Sequence, residues 1–232
     1  MPPSSQLPPT QAAPSRWVRW RERALSSRIR LSLVAMALML LLLWWWRPLF
    51  LVPGTQPLVM QGGDPYVRAL MRTISASESN VLRPYHVLYG SSFVWTLSSH
   101  PNRCEPIDRG PNRGNCSTAA GRYQLLNVTW TALAARYHPD RVPGQTDIAS
   151  LSFEPMYQDM VVYAWLVDPR AWRVDVPNLL RQGKTQAVLK RLSGTWTSLG
   201  YGSENNSMSR ELPKIYKRVL EDELARAAEP KT

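Results

Sequence analysis

From Leu31 the chain reads LSLVAMALMLLLLWWW, sixteen residues to Trp46 without a charge, and after Arg47 and Pro48 the apolar run resumes as LFLV. A helix over 31–52 would rise about 33 Å at ~1.5 Å per residue, enough to cross the core of a bilayer. No face of the run is polar, so it does not read as an ordinary half-buried helix. Trp44, Trp45 and Trp46 suit an interfacial aromatic belt, and Arg47 can snorkel to the headgroups. The expected element is a single transmembrane signal-anchor over 31–52. A cleaved signal peptide is the alternative, but the run is long for one and no small-x-small site follows it.

The pattern then changes. PGTQPLVMQGG, residues 53–63, reads as a linker. Asp64 as N-cap and Pro65 at the first helical position open a helix, in which Val67, Leu70, Met71 and Ile74 share a face and which ends near Ser75–Ser79. YHVLYGSSFVWTL, residues 85–97, has strand-like composition around Gly90 and predicts a small β-hairpin. Further helices are expected over Asn127–Tyr137, from about Ser152 through Trp165, over Lys184–Leu192, and over Ser209–Ala228. The sum is an α+β domain, mainly α, behind one membrane helix. The expected division is a disordered basic tail (1–30), the anchor (31–52), the linker (53–63), a folded domain (64–208) and a C-terminal helix and tail (209–232).

Charge sharpens the topology. The net charge is +11. Residues 1–52 hold seven Arg and one Glu, which is +6, and residues 53–232 hold 21 Lys and Arg against 16 Asp and Glu, which is +5. Six of those first arginines lie in RWVRWRERALSSRIR, just before the apolar run. The positive-inside rule therefore keeps the N-terminus cytoplasmic and exports the rest. Ahead of the arginines, residues 1–15 hold five prolines and no charge, a composition that does not pack. No basic stripe interleaved with aromatics and no zinc-finger spacing speaks for nucleic acid.

The only two cysteines, Cys104 and Cys116, stand in HPNRCEPIDRGPNRGNC. A disulfide there would close a short loop, contribute about 3 kcal/mol in the chain-entropy model, and persist only in an oxidising compartment. Two free thiols are the alternative. A metal site is not expected, because two Cys without an adjacent His fall short of a ligand set. Nothing calls for a cofactor.

Residues 117–141, STAAGRYQLLNVTWTALAARYHPDR, point two ways. The tripeptide HPD at 138–140 resembles the chaperone-contacting loop of J-domains. However, only the ten residues Thr129–His138 follow YQLLNV before Pro139, under three turns at ~3.6 residues per turn. Arg136 is the only charge of that helix, and topology places HPD outside the cytosol. It reads better as a helix-ending turn with Pro139 as the stop.

The other resemblance spans about residues 64–207. Ser77–Glu78, YHVLYGSSFVWTLSSHP (85–101), STAAGRYQLL (117–126) and TWTSLGYG (195–202) occur in the order found in lysozyme-like endolysins of the phage lambda type, which are lytic transglycosylases. The resemblance implies a lysozyme-like fold in which Glu78 is the catalytic acid. The 85–101 stretch would wall a cleft, the 117–126 stretch would floor it, and Tyr201 would close it. The Cys104–Cys116 loop and the shortened LGYG turn depart from the pattern, which bears on fine substrate contacts.

The chemistry agrees with that placement. Glycosidic cleavage needs an acid that still holds its proton near neutral pH. A Glu at a helix C-terminus, half desolvated by a cleft, has its charged form disfavoured on both counts. Val81 to Asn102 contains no Asp or Glu, and the candidates for a hydrolase's second carboxylate beyond it, Glu105 and Asp108, lie in the departing cysteine loop. That fits a transglycosylase, in which the muramic acid's own 6-hydroxyl attacks. Gln124 is a candidate for the substrate's acetamido group, or for holding Glu78. Tyr123 and Tyr201 are candidates to stack on sugars, with ordinary half-buried packing as the alternative. Ser77 either orients Glu78 or ends its helix, and Gly121 supplies backbone freedom. Phe93 and Trp95 read as core or cleft wall, and His86, His100 and His138 are spread over three loops.

The expected partners are peptidoglycan glycan strands and, through 31–52, the cytoplasmic membrane. A hydrolysing muramidase, a non-catalytic glycan-binding module and a J-domain co-chaperone are the competing readings.

Overall fold

The computed structural model describes residues 32–41, 52–110, 112–201 and 209–229. The chain divides into two units, Met1–Pro48 and Leu49–Thr232. In the first, residues 32–41 form a helix, α1, with exposed apolar side chains such as Leu33, Met36 and Leu40. Among the described residues no helix is long and apolar enough to cross a membrane. Of the expected span 31–52, residues 31 and 42–51 lie outside the described residues, as does the tail 1–30.

The second unit is built around α2, Pro65–Glu78. Its start follows from local chemistry: the Asp64 carboxylate accepts from the Tyr66 amide at 2.9 Å, and Pro65 needs no amide partner. Val67, Ala69, Leu70, Met71, Ile74 and Ala76 are fully buried. So is Arg72, which is not on the apolar face. Its charge is met by Asp222 at 2.5 Å and Glu223 at 2.8 Å, both on α8, Leu212–Ala228. Glu223 also takes Arg68 at 2.5 Å. A guanidinium can be buried here because two carboxylates and the Thr55 carbonyl, 2.8 Å away, replace its water. The last helix is therefore part of the domain core, not an appendage beyond residue 208.

The stretch expected as a linker is folded too. Thr55, Leu58 and Met60 are buried, Arg122 donates to the carbonyls of Gly54, Gln56 and Pro57, and Asp159 accepts from the Val59 and Met60 amides at 2.8 and 3.2 Å.

The remaining helices are α3, Asn127–Tyr137; α4, Pro155–Val167; α5, Pro169–Trp172; α6, Val176–Arg181; and α7, Thr185–Leu192. Trp130 of α3 meets Phe153 edge-on at 4.7 Å, and Trp165, Trp172 and Trp196 cluster with centroids 4.7 to 6.1 Å apart. His138 caps α3 and bonds the Ser152 carbonyl at 3.0 Å, so HPD is the turn that stops a helix.

The strand pairing differs from expectation. Residues 85–97 form no regular hairpin but two 3-10 turns, Pro84–His86 and Tyr89–Ser91, joined by an isolated Val87–Phe93 bridge. Gly90 and Ser91 both have left-handed backbones, at φ 74° and 70°, which breaks the extension. The neighbours they leave pair elsewhere: the Gly121 amide donates to Val87 at 2.8 Å and the Tyr89 amide to Ala119 at 3.0 Å. The regular ladder is β1, Glu105–Pro106, antiparallel to β2, Cys116–Ser117, in the cysteine loop. Cys104 and Cys116 are joined as a disulfide. Among the described residues the architecture is thus mainly helical with one small two-stranded sheet.

Candidate active site

Three chain segments meet at the end of α2. Ser79 caps the helix, its amide donating to the Ser75 carbonyl at 2.8 Å, and its hydroxyl reaches the Arg122 carbonyl at 2.7 Å. That fastens the helix end to the 119–126 turn. Trp196 Nε1 donates to the Tyr123 carbonyl at 3.0 Å, fastening the same turn to the 195–198 segment. The Ser198 hydroxyl, in the 3-10 turn Thr197–Leu199, donates to Glu78 Oε1 and closes the triangle.

The triangle borders a cleft of about 580 Å³. Its walls are residues 77–81, 87–91, 117–126 in part, Thr129 and 195–198. Glu78 is half-buried in it and is the only carboxylate among the described residues that line it; no Lys, Arg or His joins them. Ser77 Oγ lies 2.9 Å from Ser198 Oγ and donates to the Ile74 carbonyl at 3.2 Å. A single carboxyl in a hydroxyl-lined groove can give and take a proton, and the neighbouring hydroxyls can bond sugar oxygens.

A family model described as Endolysin matches residues 68–221, a range that runs from α2 to α8 and takes in Glu78 and the whole cleft. The chain belongs to the endolysin family. Membership implies an enzyme that cleaves peptidoglycan, a glycosidase of lysozyme-like fold. The chain is also similar to bacteriophage lambda lysozyme, solved with a chitohexasaccharide, at 22% identity over 69% of this chain and 97% of that one, with a TM-score of 0.50. That likeness is one of fold. No curated protein matches the chain significantly.

In this endolysin the residues singled out from sequence part company. Glu78, Ser77 and Gln124 line the cleft. Gln124 sits at φ 46° and its amide nitrogen donates to the Gly121 and Val87 carbonyls at 3.0 and 3.3 Å, so the amide oxygen is what it presents. Gly121 lies behind the cleft, at φ 73°, where an added Cβ would stand 2.2 Å from Gln158 Oε1. Close approach, more than freedom at the cleft, is what requires glycine there.

Tyr123 does not face the cleft. It is 1% exposed, and its hydroxyl donates to Asp159 of α4 at 2.6 Å. Asp159 also accepts from Tyr85 at 2.8 Å, and Arg122 donates to that Tyr85 oxygen at 2.9 Å. Burial, and then the Asp159 charge, push the Tyr123 hydroxyl well above the ordinary tyrosine value. Tyr201 is exposed and not among the residues lining the cleft; 202–208 lie outside the described residues. Phe93 and Trp95 are exposed rather than core, with Arg83 stacked over Trp95. His86, His100 and His138 each bond a backbone carbonyl, of Val94, Leu125 and Ser152 respectively, and none is among the described residues lining the cleft.

Ser198 and Trp196 are the site residues that sequence reasoning passed over. The order of segments placed TWTSLGYG near the cleft, but a serine carries no periodic signal that would mark it as the partner of a carboxylate 120 residues away.

Proposed function

We propose that this endolysin is a lytic transglycosylase that cleaves the MurNAc-GlcNAc β-1,4 bond and leaves 1,6-anhydro-muramic ends, with Glu78 as the single acid/base. The observation that carries the reading is that Glu78 is the one carboxylate among the described residues lining the cleft. Hydrolytic glycosidases ordinarily set a second one about 5 to 9.5 Å away, to attack or to activate water. No other Asp or Glu stands among the described residues that line the cleft.

The steps follow from that one group. Protonated Glu78 gives its hydrogen to the bridging oxygen as the C1–O bond breaks. The resulting carboxylate accepts the proton of the muramic 6-hydroxyl while that oxygen bonds to C1. Glu78 ends as it began, and no water is consumed. The end of α2 suits the first step, since the negative pole of the helix and partial burial disfavour the anion. Ser198 suits the second, because a hydroxyl donor favours it.

The lambda lysozyme structure holds a chitohexasaccharide, and by that analogy the cleft receives a glycan strand. Gln124 would offer its amide oxygen to an acetamido N–H, with Ser77 orienting Glu78 and Tyr201 at the mouth. The apolar run 31–52 and the arginines before it support an inner-membrane tether with the N-terminus cytoplasmic and the domain exported. The disulfide is consistent with an oxidising compartment.

Mass spectrometry of fragments released from purified murein tests the chemistry. Transglycosylation gives muramic ends lighter by one water than hydrolysis gives. A digest with only reducing muramic ends would establish the hydrolysing muramidase instead.

A further inference from the structure

The run from α2 to the 195–198 segment contains more than a contact with Glu78. Ser77 Oγ reaches the Ile74 carbonyl at 3.2 Å, Ser198 Oγ lies 2.9 Å from Ser77 Oγ, and Glu78 Oε1 lies within hydrogen-bond distance of Ser198 Oγ. Ser198 is held there by its surroundings. It is only 6% exposed, its carbonyl accepts from the Ser209 hydroxyl at 3.0 Å, and Leu199 next to it is fully buried.

We infer that Ser198 and Ser77 are positioning residues that hold the Glu78 carboxyl in one place in both of its protonation states, by reversing the direction of a two-hydroxyl chain. The inference rests on Glu78 being the acid/base. A hydroxyl is the side-chain group that donates and accepts with one atom, and two in series can point either way. With Glu78 ionised, Ser198 donates to Oε1 and Ser77 donates to Ser198. With the carboxyl protonated on Oε1 before a glycan strand arrives, Oε1–H donates to Ser198, Ser198 donates to Ser77, and Ser77 donates to Ile74; the Oε1 hydrogen turns to the bridging oxygen once the strand is bound. The same oxygen positions serve both states, so no heavy atom has to move. An arginine or lysine at 198 would hold only the anion, and an alanine neither. A residue that must be acid and then base within one turnover needs support of this two-way kind.

The test uses the complete protein on purified murein, with S198A, S198T, S77A and E78Q. S198A is expected to lose about tenfold to a hundredfold in kcat, the worth of a hydrogen bond to a charged group, with KM changed little. Loss of the donor to the anion also moves the alkaline limb of its pH profile upward. S198T keeps the hydroxyl and recovers most of the rate. S77A, half-buried and bonded to Ser198 one step along the chain from the carboxyl, moves the limb in the same direction by less, and stands in for S198A if that variant does not fold.

Unchanged kcat and pH limb in folded S198A and S77A, with E78Q inactive, would overturn the inference and leave the reading of Glu78 intact. Activity retained in E78Q would overturn the reading itself.

Discussion

Trp196 Nε1 donates to the carbonyl oxygen of Tyr123 across 73 residues of sequence, at 3.0 Å and out of contact with solvent. One bond thus links the turn that floors the cleft to the segment that carries Ser198. Trp196 also stacks in the Trp165–Trp172 cluster, so the cleft is braced against the helical core. Trp196→Phe keeps much of the ring but leaves a buried carbonyl without its donor. It should cost about 1–3 kcal/mol of stability. Activity should fall at temperatures well below the unfolding midpoint, because the floor and the Ser198 segment lose their common tie. Denaturant unfolding beside murein turbidity assays checks both; an unaltered midpoint would mean that the bond is not a brace.

Glu78→Gln removes the transferable proton and leaves a side chain of nearly the same shape. Glu78 is half-buried and accepts from the Ser198 hydroxyl, a bond that a glutamine's amide oxygen can also accept, so the fold should survive. General acid catalysis is worth about 10²–10⁴ in rate, and the murein zymogram of this variant should be blank at matched loading. A glycan-binding module would be indifferent to the change.

Much of this was legible in the sequence where the signal is local. Asp64 and Pro65 announced α2, and the apolar spacing of 127–137 marked α3 to its ends. The same Asp-and-Pro signal opens α5 and α6, where Asp168 and Asp175 cap the amides of Arg170 and Asn178. Those helices are four and six residues long, too short to carry a periodicity. Where pairing is long-range the sequence misled. Residues 85–97 have strand composition, but left-handed Gly90 and Ser91 limit their own pairing to the isolated Val87–Phe93 bridge, and further partners lie at 119–121. Tyr123 reads as half-exposed until α4 places Asp159 against its hydroxyl.

Gly121→Ala should destabilise the domain by at least ~2 kcal/mol, since φ is 73° and the new methyl would meet Gln158 Oε1 at 2.2 Å and Phe153 Cζ at 2.8 Å. Gln158 is not free to yield. Its oxygen accepts from the Arg122 amide at 2.9 Å, and its nitrogen donates to the Phe153 and Tyr85 carbonyls. Thermal melts check this, and Gly90→Ala is the control: also left-handed, at φ 74°, but with open space around it. Equal losses for both would reduce the effect to backbone strain alone.

Tyr85 and Tyr123 share Asp159, and both hydroxyls are pushed above the ordinary tyrosine value, chiefly by burial and further by that carboxylate, against a partial pull from Arg122. In the unfolded chain they ionise near pH ~10. Above that pH the native state binds more protons than the unfolded one, so stability falls as pH rises and is undiminished below it. Tyr123→Phe has one fewer such group. Its stability should start lower at neutral pH, by about 1.5–3 kcal/mol for the lost bond to Asp159, and then decline less steeply. Urea unfolding between about pH 8 and pH 11 measures both slopes; parallel curves would show that Tyr123 does not drive the alkaline loss.

The Cys104–Cys116 bridge closes a loop with a sequence separation of 12, for which chain entropy allows about 3 kcal/mol. The loop carries the two-residue ladder of β1 and β2 and little of the apolar core, which lies among α2, α4 and the later helices. Reduction should therefore loosen 104–117 without melting α2, because Arg72 and its partners on α8 are untouched. The cleft would still feel it, since Ser117 and Ala119 form part of its wall. Hydrogen exchange of Cys104→Ser/Cys116→Ser should quicken across the ladder and remain slow in α2, while KM for murein rises and kcat holds. Equal acceleration in α2 would make the bridge a support of the whole domain rather than of one wall.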